Sequence, residues 1–186
     1  MNIYDIETYE EKQKVIPYCI CFYINNTYSY IYKTKSDIII DFLNEIVKKT
    51  EIDIVLFSHN INFDGMLIIE SLTKNNIYFE WFMREMNIYW IEINYLKIKI
   101  KLRCSYKLIP LSVSILGNYI NTPKQVFPYK FVKFETINYI GLCPNEEFFN
   151  TKNEYFFFIK ENKIFDLKKK IIEYCYNYIK IILELL

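Results

Sequence analysis

Ile52-Asp53-Ile54-Val55-Leu56-Phe57-Ser58-His59-Asn60-Ile61-Asn62-Phe63-Asp64-Gly65-Met66 is the stretch whose reading decides the fold. Ile52 to Phe57 is short and almost continuously apolar, the pattern of a strand buried on both faces. Ser58, His59 and Asn60 interrupt it. From Asn62 to Leu72 the apolar residues take helical spacing, which predicts a helix with Met66, Ile69 and Leu72 turned inward. Asp64 is placed to open that helix, to cap it, and to face a metal ion. Strand, polar turn and helix is the arrangement in which α/β folds carry their sites. The single histidine and one of only three glycines fall in this turn.

Composition tells which residues to weigh. The 186 residues contain 33 Ile, no Ala, and two Arg against 21 Lys. Ile, Lys, Asn, Tyr and Phe belong to A/T-rich codons, so the bias points to an AT-rich genome: an organelle, its plasmids, or some viruses and parasites. A lone Lys or Tyr then carries little information, and His59 and Gly65 carry more. Hydrophobic residues at 52% exclude an intrinsically disordered chain. A net charge of +1 excludes a strongly basic nucleic-acid tail but not a local basic groove. No apolar run is long enough for a membrane span. The five cysteines form no zinc-finger spacing, and Cys19 and Cys21 read as small hydrophobes in a strand. No secretory signal and no Arg-rich presequence is expected, which suits an organelle-encoded product in a reducing compartment.

Outward from the central stretch, Asn2 to Thr8, Val15 to Ile24 and Tyr28 to Tyr32 read as strands, with Asn25-Asn26 a turn. Ser36 is the expected cap of a helix ending near Lys49. Ile77 to Phe82, Ile88 to Tyr95 and Leu96 to Cys104 are further strands. In the last, Lys97, Lys99 and Lys101 alternate with Ile98, Ile100 and Leu102, giving a half-buried strand with a basic outer face. Leu108 to Leu116 is predicted as a short helix ended by Gly117. Asn118 to Asn153 is irregular. A final helix begins near Asp166, with Ile171, Cys175, Tyr178, Ile182 and Leu185 as its apolar stripe. This order predicts one α/β domain with a mixed sheet.

Asp5 and Glu7, two apart on the first strand, share one face about 7 Å apart and can hold divalent ions. Taken alone, Asp-x-Glu also describes any solvated strand face, and His59 to Asp64 an ordinary turn. Together, Asp-x-Glu followed by Asn60-x-x-x-Asp64 has the order and spacing of the 3′–5′ exonucleases of the DEDD type.

Tyr4-Asp5-Ile6-Glu7-Thr8 and His59-Asn60 to Phe63-Asp64-Gly65 resemble the first two exonuclease motifs of protein-primed family B DNA polymerases, of the linear mitochondrial plasmid, small phage and adenovirus type. Ser105-Tyr106-Lys107-Leu108-Ile109-Pro110-Leu111, Lys124-Gln125-Val126-Phe127-Pro128-Tyr129 and Asn138-Tyr139-Ile140-Gly141 resemble later segments of that family in the same order. Cys104 stands where an Asp is common. Glu173-Tyr174-Cys175, with Asn177, resembles the third motif, Tyr-x-x-x-Asp. The resemblance implies a ribonuclease H-like α/β fold, a mixed sheet flanked by helices. It implies Asp5, Glu7 and Asp64 as ligands of Mg²⁺ or Mn²⁺, Tyr174 as the residue orienting the attacking water, and Lys124 as a phosphate partner. It implies Thr8, His59, Asn60, Phe63, Ser105 and Tyr129 as contacts to a single-stranded DNA 3′ end.

One position departs. Four residues after Tyr174 the family has its fourth carboxylate, and this chain has Tyr178. A neutral phenol is a poor ligand for Mg²⁺, so weak or absent exonuclease activity is expected, partly recovered with Mn²⁺. Residues 1–186 are expected to form a single exonuclease-like domain with no palm, fingers or thumb, and so not to polymerise DNA. In a full-length relative the partners would be the polymerase domain and a terminal protein, with no membrane. The expected location is mitochondrial, or else viral and host cytoplasm. Two other readings stay open: a catalytically dead single-strand-binding or scaffold remnant, and a stand-alone DEDD exonuclease.

Overall fold

Alternation sets the centre of the sheet. In the computed structural model, which describes residues 1–34 and 36–186, strand β1 (Ile3–Glu11) sends Tyr4 and Ile6 into one core and Ile3 and Tyr9 into another. Apolar residues on both faces suit a central strand. Strand β2 (Lys14–Ile24) pairs antiparallel with β1, and β3 (Thr27–Tyr32) antiparallel with β2. Asn25 and Asn26 make the turn at φ 50° and 61°, the left-handed region that Asn tolerates better than most residues. Strand β4 (Ile54–Ser58) lies parallel to β1 on its other side. Then come β5 (Phe79–Arg84), β6 (Asn87–Tyr95) and β7 (Ile98–Cys104), with β7 parallel to β4. The sheet order is β3-β2-β1-β4-β7-β6-β5. This is the mixed sheet that the order of elements predicts.

Helices α1 (Ile38–Lys49) and α2 (Ile61–Lys74) cover one face. Asp37, not Ser36, caps α1: its carboxylate accepts from the N–H groups of Ile39 and Ile40. The same carboxylate accepts from Ser71 and Asn75, tying α1 to α2, whereas the Ser36 hydroxyl donates to Asp41. On α2 the inward residues are Ile61, Gly65, Ile68 and Leu72, and Met66 is exposed. Of the predicted inward residues, Leu72 is buried and Ile69 packs half-buried on the same core, and only Met66 turns outward. β4 is buried on one face only. Ile54, Leu56 and Ser58 are buried, but Val55 is 40% exposed.

The reason lies on the second face. Helix α3 (Val113–Tyr119) follows a 3₁₀ turn over Ser105–Lys107. Pro110 disfavours helix at the residue before it, so the predicted Leu108–Leu116 helix is displaced and starts after its cap, Ser112. Gly117 lies inside α3 rather than ending it. Strands β8 (Ile140–Leu142) and β9 (Ile164–Asp166) form a small antiparallel pair, and α4 (Lys152–Glu161), which the sequence pattern does not predict, lies between them in the chain. Helix α5 (Leu167–Leu183), capped by Asp166, packs on β1, β2 and β3. It stops short of the outer face of β4, which leaves Val55 in solvent. On β7, Ile98, Ile100 and Leu102 are buried, and Lys99 and Lys101 face outward beside Glu92. Among the described residues no helix is long and apolar enough to cross a membrane.

Candidate active-site cleft

Unequal strands make the cleft. Ile3 of β1 pairs with Phe57 of β4, so β1 runs on after β4 ends at Ser58 and its chain turns into α2. Asp5 and Glu7 stand on this overhanging part. The twofold period of a strand puts both on the face covered by α5. A cleft of about 620 Å³ opens there, bordered by Asp5, Glu7, Asp64, Lys124, Tyr174 and Tyr178.

Asp64 arrives from α2. Asn60, with φ 66°, holds the cap position without a side-chain cap bond, so Asp64 is not the cap that the sequence suggests. It sits in the first turn, 5% exposed, where the helix dipole favours a negative charge. Burial pushes the Asp5 carboxyl up to about 6, against an ordinary 3.8. Burial first, and then the charge of Asp5, raises both Glu7 and Asp64. Lys124 opposes the shift at Asp5 and Glu7. Glu7 is 8% exposed, and its side chain shares a hydrogen bond with the Asp5 carboxyl. Asp5 and Glu7 bring ligand atoms within 4.8 Å of one another, with Asp64 lining the same cleft outside that group, and carboxylate oxygens so placed fit a divalent cation.

The aromatic wall belongs to α5 and the loop after α3. Tyr174 is buried, edge-on to Tyr129 at 5.4 Å and beside Phe127 at 5.7 Å. Lys124 Nζ lies 5.5 Å from the Tyr174 ring and 5.8 Å from the Tyr178 ring. Tyr178 faces the cleft, but its hydroxyl donates to the His59 carbonyl at 3.4 Å. Burial raises its phenol pKa, so it stays neutral.

His59 is part of the frame. Its Nε2 is 2.9 Å from the Leu111 carbonyl, which places a proton on that nitrogen, and its Nδ1 is 3.0 Å from Ser105 Oγ, whose hydroxyl also reaches the Ser58 carbonyl at 3.2 Å. Burial lowers its pKa and keeps it neutral. Asn60, Phe63 and Tyr129 line the cleft, with Phe63 48% exposed. Thr8 and Ser105 do not line it; Ser105 is buried behind His59. The structure adds Tyr106, Ser112 and Ser114 to the lining. Tyr106 lies edge-on to His59 at 5.3 Å, and nothing in its sequence spacing marks it apart from the other tyrosines. Cys175, whose thiol donates to Asp5 Oδ2 at 3.4 Å, is hidden in the sequence within the apolar stripe of α5.

Comparison with known proteins gives a family and a fold. The family described as DNA polymerase type B, organellar and viral, matches residues 43–186. A probable DNA polymerase of Agaricus bitorquis is 32% identical over 160 residues, covering 75% of this chain and 19% of that protein. The chain spans only 14% to 19% of the length of the curated relatives it matches. Phi29 DNA polymerase complexed with primer-template DNA superposes with a TM-score of 0.62 at 18% identity, over 97% of this chain and 30% of that one. Phi29 DNA polymerase complexed with single-stranded DNA gives 0.57 at 17%, over the same shares. These structural likenesses establish the ribonuclease H-like fold.

Proposed function

The chain belongs to the organellar and viral type B DNA polymerases, and on that premise we propose that residues 1–186 are the 3′–5′ exonuclease-like unit of a protein-primed polymerase, serving DNA replication and the proofreading of single-stranded 3′ ends. The observation that carries this reading is the convergence of buried Asp5, Glu7 and Asp64 beside Lys124 and Tyr174 in one open cleft.

Asp5, Glu7 and Asp64 would hold Mg²⁺ or Mn²⁺. Bound divalent ions would supply Lewis-acid polarisation of a phosphodiester and a bound water of lowered pKa. The remaining work belongs to the chain. Lys124, held against two rings, presents a cation to the phosphate. Tyr174 would orient a water through its hydroxyl. Phe63 and Tyr129 offer ring faces to bases without reading their identity, as proofreading requires. Tyr178 supplies no carboxylate, and losing a Lewis-acid contribution of several kcal/mol slows hydrolysis by roughly 10²–10⁵. That same phenol favours a second reading, a single-strand-binding remnant that keeps the cleft without turnover. DNA is the partner in either case. Palm, fingers and thumb lie outside this unit, and a terminal protein would engage the full-length polymerase. The family's organellar members support a mitochondrial location.

The test is 3′-end shortening of 5′-labelled single-stranded DNA in Mg²⁺ and in Mn²⁺, beside an Asp5→Ala/Glu7→Ala variant. Slow, Mn²⁺-favoured shortening that the double variant loses is expected. DNA binding with no shortening in either metal would leave the binding-only reading. Neither binding nor shortening would overturn both.

A further inference from the structure

Behind Asp5 and Glu7 lies a group of thiols that the exonuclease reading does not use. The register of β1 and β2 sets Asp5 opposite Cys21 and Glu7 opposite Cys19 on the same sheet face. Cys19 Sγ and Cys21 Sγ are 3.9 Å apart. From above, α5 lowers Cys175 onto this patch. Its Sγ reaches Asp5 Oδ2 at 3.4 Å and the Asp5 carbonyl at 3.8 Å. Ligand atoms of Asp5, Glu7 and Cys175 all lie within 4.8 Å of one another. All three thiols of the patch are buried and free.

The helical turn explains the placement. Tyr178 and Cys175 are three apart on α5, so they share one side of the helix. The phenol of Tyr178 is turned to the His59 carbonyl, and Cys175 is the α5 side chain with a ligand atom next to Asp5 and Glu7. Glu7, nine-tenths buried and hydrogen-bonded to the Asp5 carboxyl, brings a carboxylate oxygen into the same cluster.

We infer that Cys175 is a metal ligand in this chain, and that Asp5, Glu7 and Cys175 form a mixed oxygen and sulfur site for a thiophilic divalent cation of the Zn²⁺ and Co²⁺ class. Thiolate selects such ions over Mg²⁺, which prefers oxygen alone. Three protein ligands leave one tetrahedral position for water or a phosphate oxygen, as in catalytic zinc sites. On binding, the Cys175 S–H bond gives its proton to solvent as the metal–sulfur bond forms, with no change of oxidation state. The inference rests on the assignment of Asp5 and Glu7 as metal ligands and does not need hydrolysis.

The test is titration of the whole chain with Co²⁺ under a non-thiol reductant, read by near-ultraviolet sulfur-to-cobalt charge-transfer absorption. Mn²⁺ binding is followed in parallel by electron paramagnetic resonance. The expected result is a charge-transfer band in the parent, kept in Cys143→Ser and in Cys19→Ala/Cys21→Ala, and lost in Cys175→Ser. Zn²⁺ should displace it and excess Mg²⁺ should not. Cys175→Ser should weaken Co²⁺ at least about tenfold and Mn²⁺ much less. Co²⁺ and Mn²⁺ binding without the band in the parent would overturn the role of Cys175 and leave the carboxylate reading standing. A band that disappears only in Cys19→Ala/Cys21→Ala would move the sulfur ligand to β2 and overturn the assignment. No binding of either ion by the parent would overturn both. A parent spectrum without the band overturns the inference even if a variant fails to fold.

Discussion

The hydroxyl of Tyr178 donates to the carbonyl oxygen of His59 at 3.4 Å, across the mouth of the cleft from α5 to the turn that follows β4. The resemblance to the third exonuclease motif implies a carboxylate at this point. The phenol closes the wall and spends its one proton on the backbone, so it offers the cleft a ring rather than a charge.

Tyr178→Asp should therefore gain activity at a cost in stability. Restoring the carboxylate should raise Mg²⁺-dependent shortening of single-stranded DNA by about 10² or more. Without metal, a fourth buried carboxylate and a lost ring should cost about 1–3 kcal/mol, read as a lower urea midpoint that Mn²⁺ restores. Tyr178→Phe separates the two effects: it loses only the hydrogen bond, about 1 kcal/mol, and gains no activity. Equal activity in both variants would detach the defect from the missing carboxylate.

The frame of this site is legible in the sequence, and the reasons are physical. A strand has a period of two whatever it packs against, so the spacing of Asp-x-Glu alone places both carboxylates on one face. The α5 stripe is equally plain, and for that reason it conceals Cys175. A thiol at an apolar helix position reads as a small hydrophobe until the opposite strand is known to carry Asp5. Helical spacing places Ile69 and Leu72 correctly but misplaces Met66, because the centre of the inward face, at Ile61, Gly65 and Ile68, is chosen by packing on the sheet. It misjudges Val55 because burial of a strand's second face is a tertiary property: α5 covers three strands and ends before the fourth. α4 carries four consecutive aromatic residues, Tyr155 to Phe158, which mask helical spacing.

Buried carboxylates make the metal-free fold sensitive to pH. The Asp5 pKa rises from 3.8 to about 6 on folding, chiefly through burial. The folded state then holds its proton more tightly than the unfolded chain. Its contribution is complete below pH 3.8 and is lost as pH rises to about 6, a difference of about 3 kcal/mol. Glu7 and Asp64, also raised, add losses of the same sign. His59 works in the opposite direction, since its lowered pKa favours the fold as pH rises. Asp5→Asn isolates the carboxyl. In a chelator at pH 8 it should be more stable than the parent by about 1–3 kcal/mol, and the gap should close by pH 4. Mn²⁺ at a hundred times its dissociation constant should stabilise the parent by about 2.7 kcal/mol and the variant far less. Urea unfolding at pH 4 and pH 8, with and without Mn²⁺, checks all three. A variant less stable than the parent at pH 8 without metal would show that Asp5 is not held at a desolvation cost.

Gly117 sets the position of Lys124. A Cβ there would meet the Thr122 carbonyl oxygen at 2.5 Å, Ile181 Cδ1 at 3.1 Å and the Lys124 backbone N at 3.2 Å. Two of these neighbours are backbone and cannot rotate away. Alanine is the better helix former by about 1 kcal/mol, but the overlap opposes this and costs about 1–3 kcal/mol, so Gly117→Ala should be destabilising on balance. The residues that must yield lead directly to Lys124, whose ammonium lies against Tyr174 and Tyr178. Gly117→Ala should therefore weaken single-stranded DNA binding beyond what its loss of stability explains. Gly65→Ala is the control, because its Cβ would meet only the ends of Ile88 and Ile91 and the Ile61 side chain at 3.1–3.3 Å. Those ends can shift, and helix propensity offsets the contact, leaving stability within about 1 kcal/mol of the parent. Urea midpoints and oligonucleotide anisotropy at low salt, on both variants, give the comparison. If Gly65→Ala proves the more harmful of the two, the loop after α3 is free to adjust and does not hold Lys124 in place.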